Sequence, residues 1–170
     1  MGKEKSRPVR RVLLWVWRIV TRSPILERIL LRIINPRFIA GVLGIVRDSE
    51  GRVLLLKHTY RRELPWGIPG GWLRKGESMG ACLGRELEEE TGFSVRVDSL
   101  YHLLSGFSQP KIEAVFLCTI TGGEFQPDEE ISEHKFVGPS DDLSINPRHR
   151  DVVLRYFAGM GPGGETRMEG

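Results

Sequence analysis

The stretch GWLRKGESMGACLGRELEEETGF, Gly71 to Phe93, decides how the rest of the chain is read. Ser78 is a helix-capping residue and Gly92 a helix-ending one, and between them Leu83 and Leu87 recur at the spacing of one helical face. A helix from Ser78 to about Thr91 follows. On it Glu86, Glu89 and Glu90 lie at about 0°, 300° and 40°, so three carboxylates share an arc of about 100°. Glu88 falls at about 200° and is expected in solvent. Three like charges on one short face repel, and the helix dipole adds to the penalty near the C-terminal end. Taken alone, the run leaves two readings open. It is a solvated acidic face with basic neighbours, or a face gathered for a hard divalent cation, which takes carboxylate oxygens and bridges them to substrate phosphates.

The residues before the helix favour the cation. Pro69-Gly70-Gly71 is a loop whose glycines permit close backbone approach, carbonyls to a metal and amides to a phosphate. Glu77 at the helix entrance and Arg85 within it are opposite charges able to pair and fix loop against helix. Gly80 and Gly84 weaken the helix by about 1 kcal/mol each relative to Ala.

With Gly71, Glu77 and the run Arg85 to Phe93 in place, the segment resembles the signature box of the Nudix hydrolases at every fixed position. The resemblance implies an α/β/α sandwich around a mixed β-sheet. It also implies Mg2+- or Mn2+-dependent hydrolysis of a nucleoside diphosphate linked to another moiety, by water attack on phosphorus. ADP-ribose and sugar nucleotides come first as substrates and nucleoside triphosphates second. Carried over position by position, Glu86 and Glu90 are the implied metal ligands, with Glu89 a further ligand or the general base. The Gly70 carbonyl completes the metal shell, Gly71 shapes the loop, and Arg85 works with the catalytic carboxylates through its pair with Glu77. Glu130, in the acidic loop Asp128 to Glu133, is a second candidate base, ranked above Glu133 and Glu129. The competing class is a non-catalytic nucleotide sensor of the same fold.

Substrate contacts lie outside the box. His58, Tyr60, Arg61 and Arg62 form a cationic and aromatic set able to grip phosphate and stack on a base, and Trp66 precedes the glycine loop as a further pocket candidate. Pro110 lies seventeen residues past Phe93, a spacing similar to the ADP-ribose pyrophosphatase subgroup. His102, His134 and His149 show no metal-ligand spacing and are expected to be structural or exposed.

Further out, Phe38 to Val46 and Val53 to Leu56 are apolar, β-branched-rich runs either side of the turn Asp48 to Gly51, which reads as a hairpin. Strands are expected near Val95 to Leu104, Ile112 to Ile120 and His134 to Val137. A last helix starts at Asn146-Pro147, with Val152, Val153, Tyr156 and Phe157 as its apolar side. The chain thus divides into a basic amphipathic extension (1–36), a hydrolase domain (37–158) and a Gly-rich tail (159–170) expected to be flexible.

At 170 residues, 40% hydrophobic and 28% charged, the composition excludes wholesale disorder and a multi-span membrane protein. The net charge of +3 conceals a split. Residues 1–37 hold ten Lys or Arg against two Glu, a net of +8, so the remainder carries −5. Residues 9–34 read as an amphipathic helical hairpin broken at Ser23-Pro24, with the uncharged run Val12 to Trp17 too short to span a bilayer. Arg set among Leu, Ile and Trp suits packing on its own domain, a homodimer mate or an anionic lipid surface, and argues against nucleic acid. Cys82 and Cys118 make no disulfide framework and read as buried filler, which fits a reducing, cytoplasmic setting.

Overall fold

The computed structural model describes residues 15, 22–34, 38–106, 110–161 and 166–168. It divides into two units, 1–37 and 38–170. In the first, helix α1 spans Pro24–Ile34, with Ser23 at its head accepting from Glu27 N–H. Ile25, Ile29 and Ile33 follow each other at four-residue spacing and are exposed, as are Arg28 and Arg32. The expected first arm of the hairpin lies outside the described residues except for Trp15, which is helical and exposed, and Arg22. Among the described residues no helix is long and apolar enough to cross a membrane.

The second unit is built on β1, Ile39–Arg47, whose apolar run is buried on both faces. Period-2 alternation sends its side chains to two different cores. Leu43 and Ile45 join Val53, Leu55 and Val115 on one side of the sheet, while Val42 and Val46 join Leu54, Leu56 and Cys118 on the other. Helix α2, Met79–Thr91, covers the second core with Cys82, Leu83 and Leu87, and helix α3, Pro147–Phe157, covers the first with Val152 and Val153. The α/β/α layering expected from the sequence is therefore present.

The sheet contains β2 (Val53–His58), β3 (Trp66–Gly67), β4 (Gly70–Trp72), β5 (Phe93–Gly106), β6 (Lys111–Gly123), β7 (Ile131–Val137) and β8 (Thr166–Met168). Its order is β3-β2-β1-β6-β5-β8, with β4 also on β1 and β7 also on β2. β1 runs parallel to β6 and β5 parallel to β8, and the other pairings are antiparallel, so the sheet is mixed. Pro110, in the turn between β5 and β6, accepts from Ile39 N–H at 2.8 Å.

Three features differ from the sequence reading. The β1–β2 hairpin pairs at Arg47↔Val53 and then parts, because β4 takes the far end of β1 through Gly41↔Trp72, Val42↔Gly71 and Leu43↔Gly70. That substitution carries the glycine loop into the sheet beneath α2. Strands β3 and β4 were not expected, being two and three residues long and rich in glycine. Residues 166–168 of the expected flexible tail pair with Leu104, Ser105 and Gly106. Both cysteines are free and buried, and burial pushes their thiols up, Cys82 to about 11 and Cys118 to about 12.

Candidate active site

Helix α2 is fixed at both ends by local chemistry. Ser78 accepts from Ala81 N–H at 3.2 Å, and Gly92, at φ +72°, donates its N–H to Glu88 O at 3.0 Å. A Cβ at Gly92 would meet Glu124 O at 2.5 Å, so this left-handed cap is glycine for two reasons. Between the caps Leu83 and Leu87 face the core and the acidic residues take the rest of the surface.

Arg85 is the organising cation. Its guanidinium donates to both Glu77 oxygens at 2.9 and 3.1 Å, and its remaining nitrogen lies 2.9 Å from Glu86 Oε1 and 2.9 Å from Glu89 Oε2. The hydrogen bonds with Glu77 raise the Arg85 pKa and draw the Glu77 carboxyl down to about 2. Glu77 also accepts from Arg74 N–H, so this pair ties the turn after β4 to the helix. Glu89 accepts from Arg74 as well as Arg85 and is about half exposed. Glu88 points to solvent, as its angular position required.

Glu90 is different. Its Oε2 is buried with no hydrogen-bond partner among the described residues. Burial pushes its carboxyl up to about 8, and the nearby charges of Glu86, Glu130 and Asp128 push the same way, with Arg61 opposing them. Asp128 Oδ1 accepts from the N–H groups of Glu130 and Ile131, and Glu130 O accepts from Thr59 N–H at 2.8 Å, which brings the acidic loop to the end of β2. Glu133, ranked lower from the sequence, is occupied by Lys57 at 2.6 Å. Among the described residues no three His, Cys, Asp or Glu side chains stand ready-made as a metal cage. The donor chemistry nevertheless fits a hard divalent cation: oxygen donors only, surplus negative charge, and one buried carboxylate oxygen lacking a partner.

Of the β4 glycines, Gly71 sits against this face and Gly70 against β1. A Cβ on Gly71 would land on the Glu86 carboxylate, and one on Gly70 would strike Val42 O of β1. A cavity of about 260 Å³ opens beside Gly70 and Gly71. His58, Tyr60 and Arg61 line it, together with His149, Arg148, Asn146, Lys111, Glu113 and Trp72. Trp66 lies elsewhere, packed on the core beneath Lys57 and Lys135. His134 is packed among Phe93, Phe125 and Phe136 and His102 is buried, both as expected of structural residues. His149 is buried as well, in the cavity wall where the first turn of α3 meets the loop after β2, and no short sequence pattern marks that meeting.

The model of the NUDIX domain matches residues 37–156. A "MutT-like protein" of Streptomyces ambofaciens is 28% identical over 131 residues, covering 75% of this chain and 82% of that one. An "ADP-ribose pyrophosphatase" of Methanocaldococcus jannaschii is 31% identical over 132 residues, covering 69% and 72%. Among solved structures, a NUDIX hydrolase from Nitrosomonas europaea superposes with a TM-score of 0.65 at 23% identity, covering 79% of this chain and 80% of that one. The strand order, the capped acidic helix seated over a glycine loop, and these matches place the chain in the NUDIX family.

Proposed function

We propose that this chain is a divalent-metal-dependent pyrophosphohydrolase that cleaves the phosphoanhydride of a nucleoside diphosphate derivative, with ADP-ribose or a sugar nucleotide ahead of nucleoside triphosphates. The observation that carries it is Glu90, a buried carboxylate without a hydrogen-bond donor and surrounded by further carboxylates. A sensor that only binds a nucleotide has less need of that arrangement, which costs stability until a cation compensates it. Hydrolysis of ADP-ribose or a sugar nucleotide that stops on chelation and resumes with Mg2+ or Mn2+ is the test.

Glu86, Glu90 and the Gly70 carbonyl would hold the cation, with Glu89 as a further ligand. When bound, Mg2+ or Mn2+ neutralises charge on the phosphate oxygens and makes a bound water more acidic. Arg85 holds Glu86 and Glu89 in place, and Glu77 holds Arg85. Glu130 accepts the proton of the attacking water. Glu89 is the weaker candidate because it already accepts from two guanidinium groups. Glu130→Gln is expected to lower kcat about 100-fold with KM little changed. A larger loss in Glu89→Gln than in Glu130→Gln moves the base to Glu89.

The N-terminal unit is read as a peripheral anchor on anionic lipid. Exposed Ile25, Ile29 and Ile33 with Arg28 and Arg32 alongside, and a net of +8 over residues 1–37, support an interfacial helix. Two free, buried cysteines support a reducing, cytoplasmic setting. Deleting residues 1–34 is expected to remove co-sedimentation with phosphatidylserine vesicles and leave hydrolysis in solution intact. Unchanged sedimentation overturns the lipid reading, and a halved mass by light scattering replaces it with a dimer mate.

A further inference from the structure

The cavity beside the glycine loop contains more unsatisfied nitrogen than a structural wall tolerates. Both ring nitrogens of His58, Nδ1 of His149 and one terminal nitrogen of Arg61 are buried with no hydrogen-bond partner among the described residues. Leaving a buried polar group unpaired costs stability, because its hydration is lost and nothing replaces it. The grouping is sterically deliberate. A Cβ on Gly67 would lie 2.9 Å from His149 Nδ1 and 3.1 Å from the Arg61 guanidinium, so Gly67 is what lets those two side chains meet.

Burial and the charge of Arg61 hold both imidazoles neutral, lowering His58 to about 4 and His149 to about 3. Each neutral ring offers one donor and one acceptor, which suits a hydroxyl group, whereas Arg61 offers a fixed charge and only donors, which suits a phosphoryl group. Arg61 also opposes the rise of the Glu90 carboxyl, so its charge is felt at the carboxylate helix as well as at the histidines.

The aromatic residues and the size of the cavity bear on which half of the substrate it takes. Lys111 Nζ sits 4.5 Å from the centre of the Trp72 ring, and the Arg61 guanidinium 5.6 Å from that of Tyr60. Each of these rings thus already carries a cation on one face, which leaves less aromatic surface there for a nucleobase. At about 260 Å³ the space also falls below the roughly 300–1,000 Å³ of pockets that enclose a drug-sized ligand. It suits part of a nucleotide conjugate.

We propose that this cavity holds the phosphorylated sugar half of the substrate, with Arg61 on its phosphoryl group and His58 and His149 on its hydroxyls, while the nucleoside lies outside it. The proposal rests on the hydrolase reading and ranks nucleoside diphosphate sugars above nucleoside triphosphates.

Calorimetric titration of the full-length protein with ribose 5-phosphate, glucose 1-phosphate, inorganic phosphate and AMP tests it without requiring turnover. A sugar phosphate should bind at least tenfold more tightly than AMP or phosphate. Arg61→Gln should weaken sugar phosphate and inorganic phosphate alike by tenfold or more, and His149→Gln should weaken the sugar phosphate but not inorganic phosphate. If His149→Gln does not fold, His58→Gln serves for the hydroxyl contacts and Arg61→Gln for the phosphoryl group. AMP binding more tightly than both sugar phosphates, no sugar phosphate binding at millimolar concentration, or equal binding by wild type and folded variants overturns the proposal. Sugar phosphate binding without hydrolysis of any nucleotide would instead overturn the hydrolase reading and leave the cavity assignment standing.

Discussion

Replacing Glu90 by Gln should lower kcat/KM about 1,000-fold or more while making the metal-free protein more resistant to heat at alkaline pH. The two effects have one cause. Glu90 is the carboxylate that the fold leaves uncompensated, its Oε2 buried without a donor and its neighbours Glu86, Glu130 and Asp128 of the same sign. Removing it takes away a cation ligand, and a metal ion contributes several kcal/mol of transition-state stabilisation, of which about 1.4 kcal/mol is tenfold in rate. It also takes away a strained charge. A carboxyl raised from an ordinary 4.5 to about 8 binds its proton more tightly in the folded state. Its contribution to stability is therefore fully present below pH 4.5 and is lost as pH rises to about 8. In metal-free buffer, wild type and Glu90→Gln should melt at similar temperatures near pH 4.5, with the variant ahead at pH 8 and above. Saturating Mg2+ should narrow that gap by stabilising wild type alone. A variant that melts lower at pH 8 without metal would mean that Glu90 is stabilised by a partner and is no metal ligand.

The second large effect is expected from one methyl group. Gly71→Ala puts a Cβ where the Glu86 carboxylate lies, and either Glu86 turns away or β4 shifts. Strand β4 is held by Val42↔Gly71 and its neighbouring pairs, so the side chain moves more easily than the backbone. Displacing a ligand by about 1 Å is enough to cost about 100-fold in rate. Gly71→Ala should lose about that much activity, raise the Mg2+ concentration needed for half-maximal rate, and keep a cooperative melt. Gly84→Ala, on helix α2 beside Glu86 and with nothing within 4 Å of its added Cβ, should melt higher, by about 1 kcal/mol of helix propensity, with normal turnover. Wild-type kinetics in Gly71→Ala would show that Glu86 does not depend on this contact.

What the sequence made legible was local. Caps within four residues of their hydrogen-bond partners, carboxylates within about one turn, and alternation along β1 and β2 all lie inside short windows, where spacing translates directly into geometry. Ser78, Gly92 and the outward Glu88 stand where those windows place them, and Glu77 and Arg85, whose spacing alone left their pairing open, are paired. The remainder depended on contacts between distant segments. β4 displaces β2 from half of β1, a competition that three residues with two glycines do not advertise. His149 comes to Arg61 and Gly67 across more than eighty residues, and Trp66 leaves the cavity because β3 turns it onto Lys57 and Lys135. Periodicity finds the scaffold of this site, whereas its substrate wall is assembled by tertiary packing alone.

The most direct test of the account is product analysis on a panel of ADP-ribose, UDP-glucose, a dinucleoside polyphosphate and a nucleoside triphosphate, each with Mg2+, with Mn2+ and with chelator. Nucleoside monophosphate and sugar phosphate are expected from ADP-ribose or UDP-glucose, with slower release from the triphosphate and none under chelation. Solvent 18O should appear in one of the two phosphate products. Tight nucleotide binding with no cleavage of any substrate under either metal would contradict it and identify the chain as a binding protein.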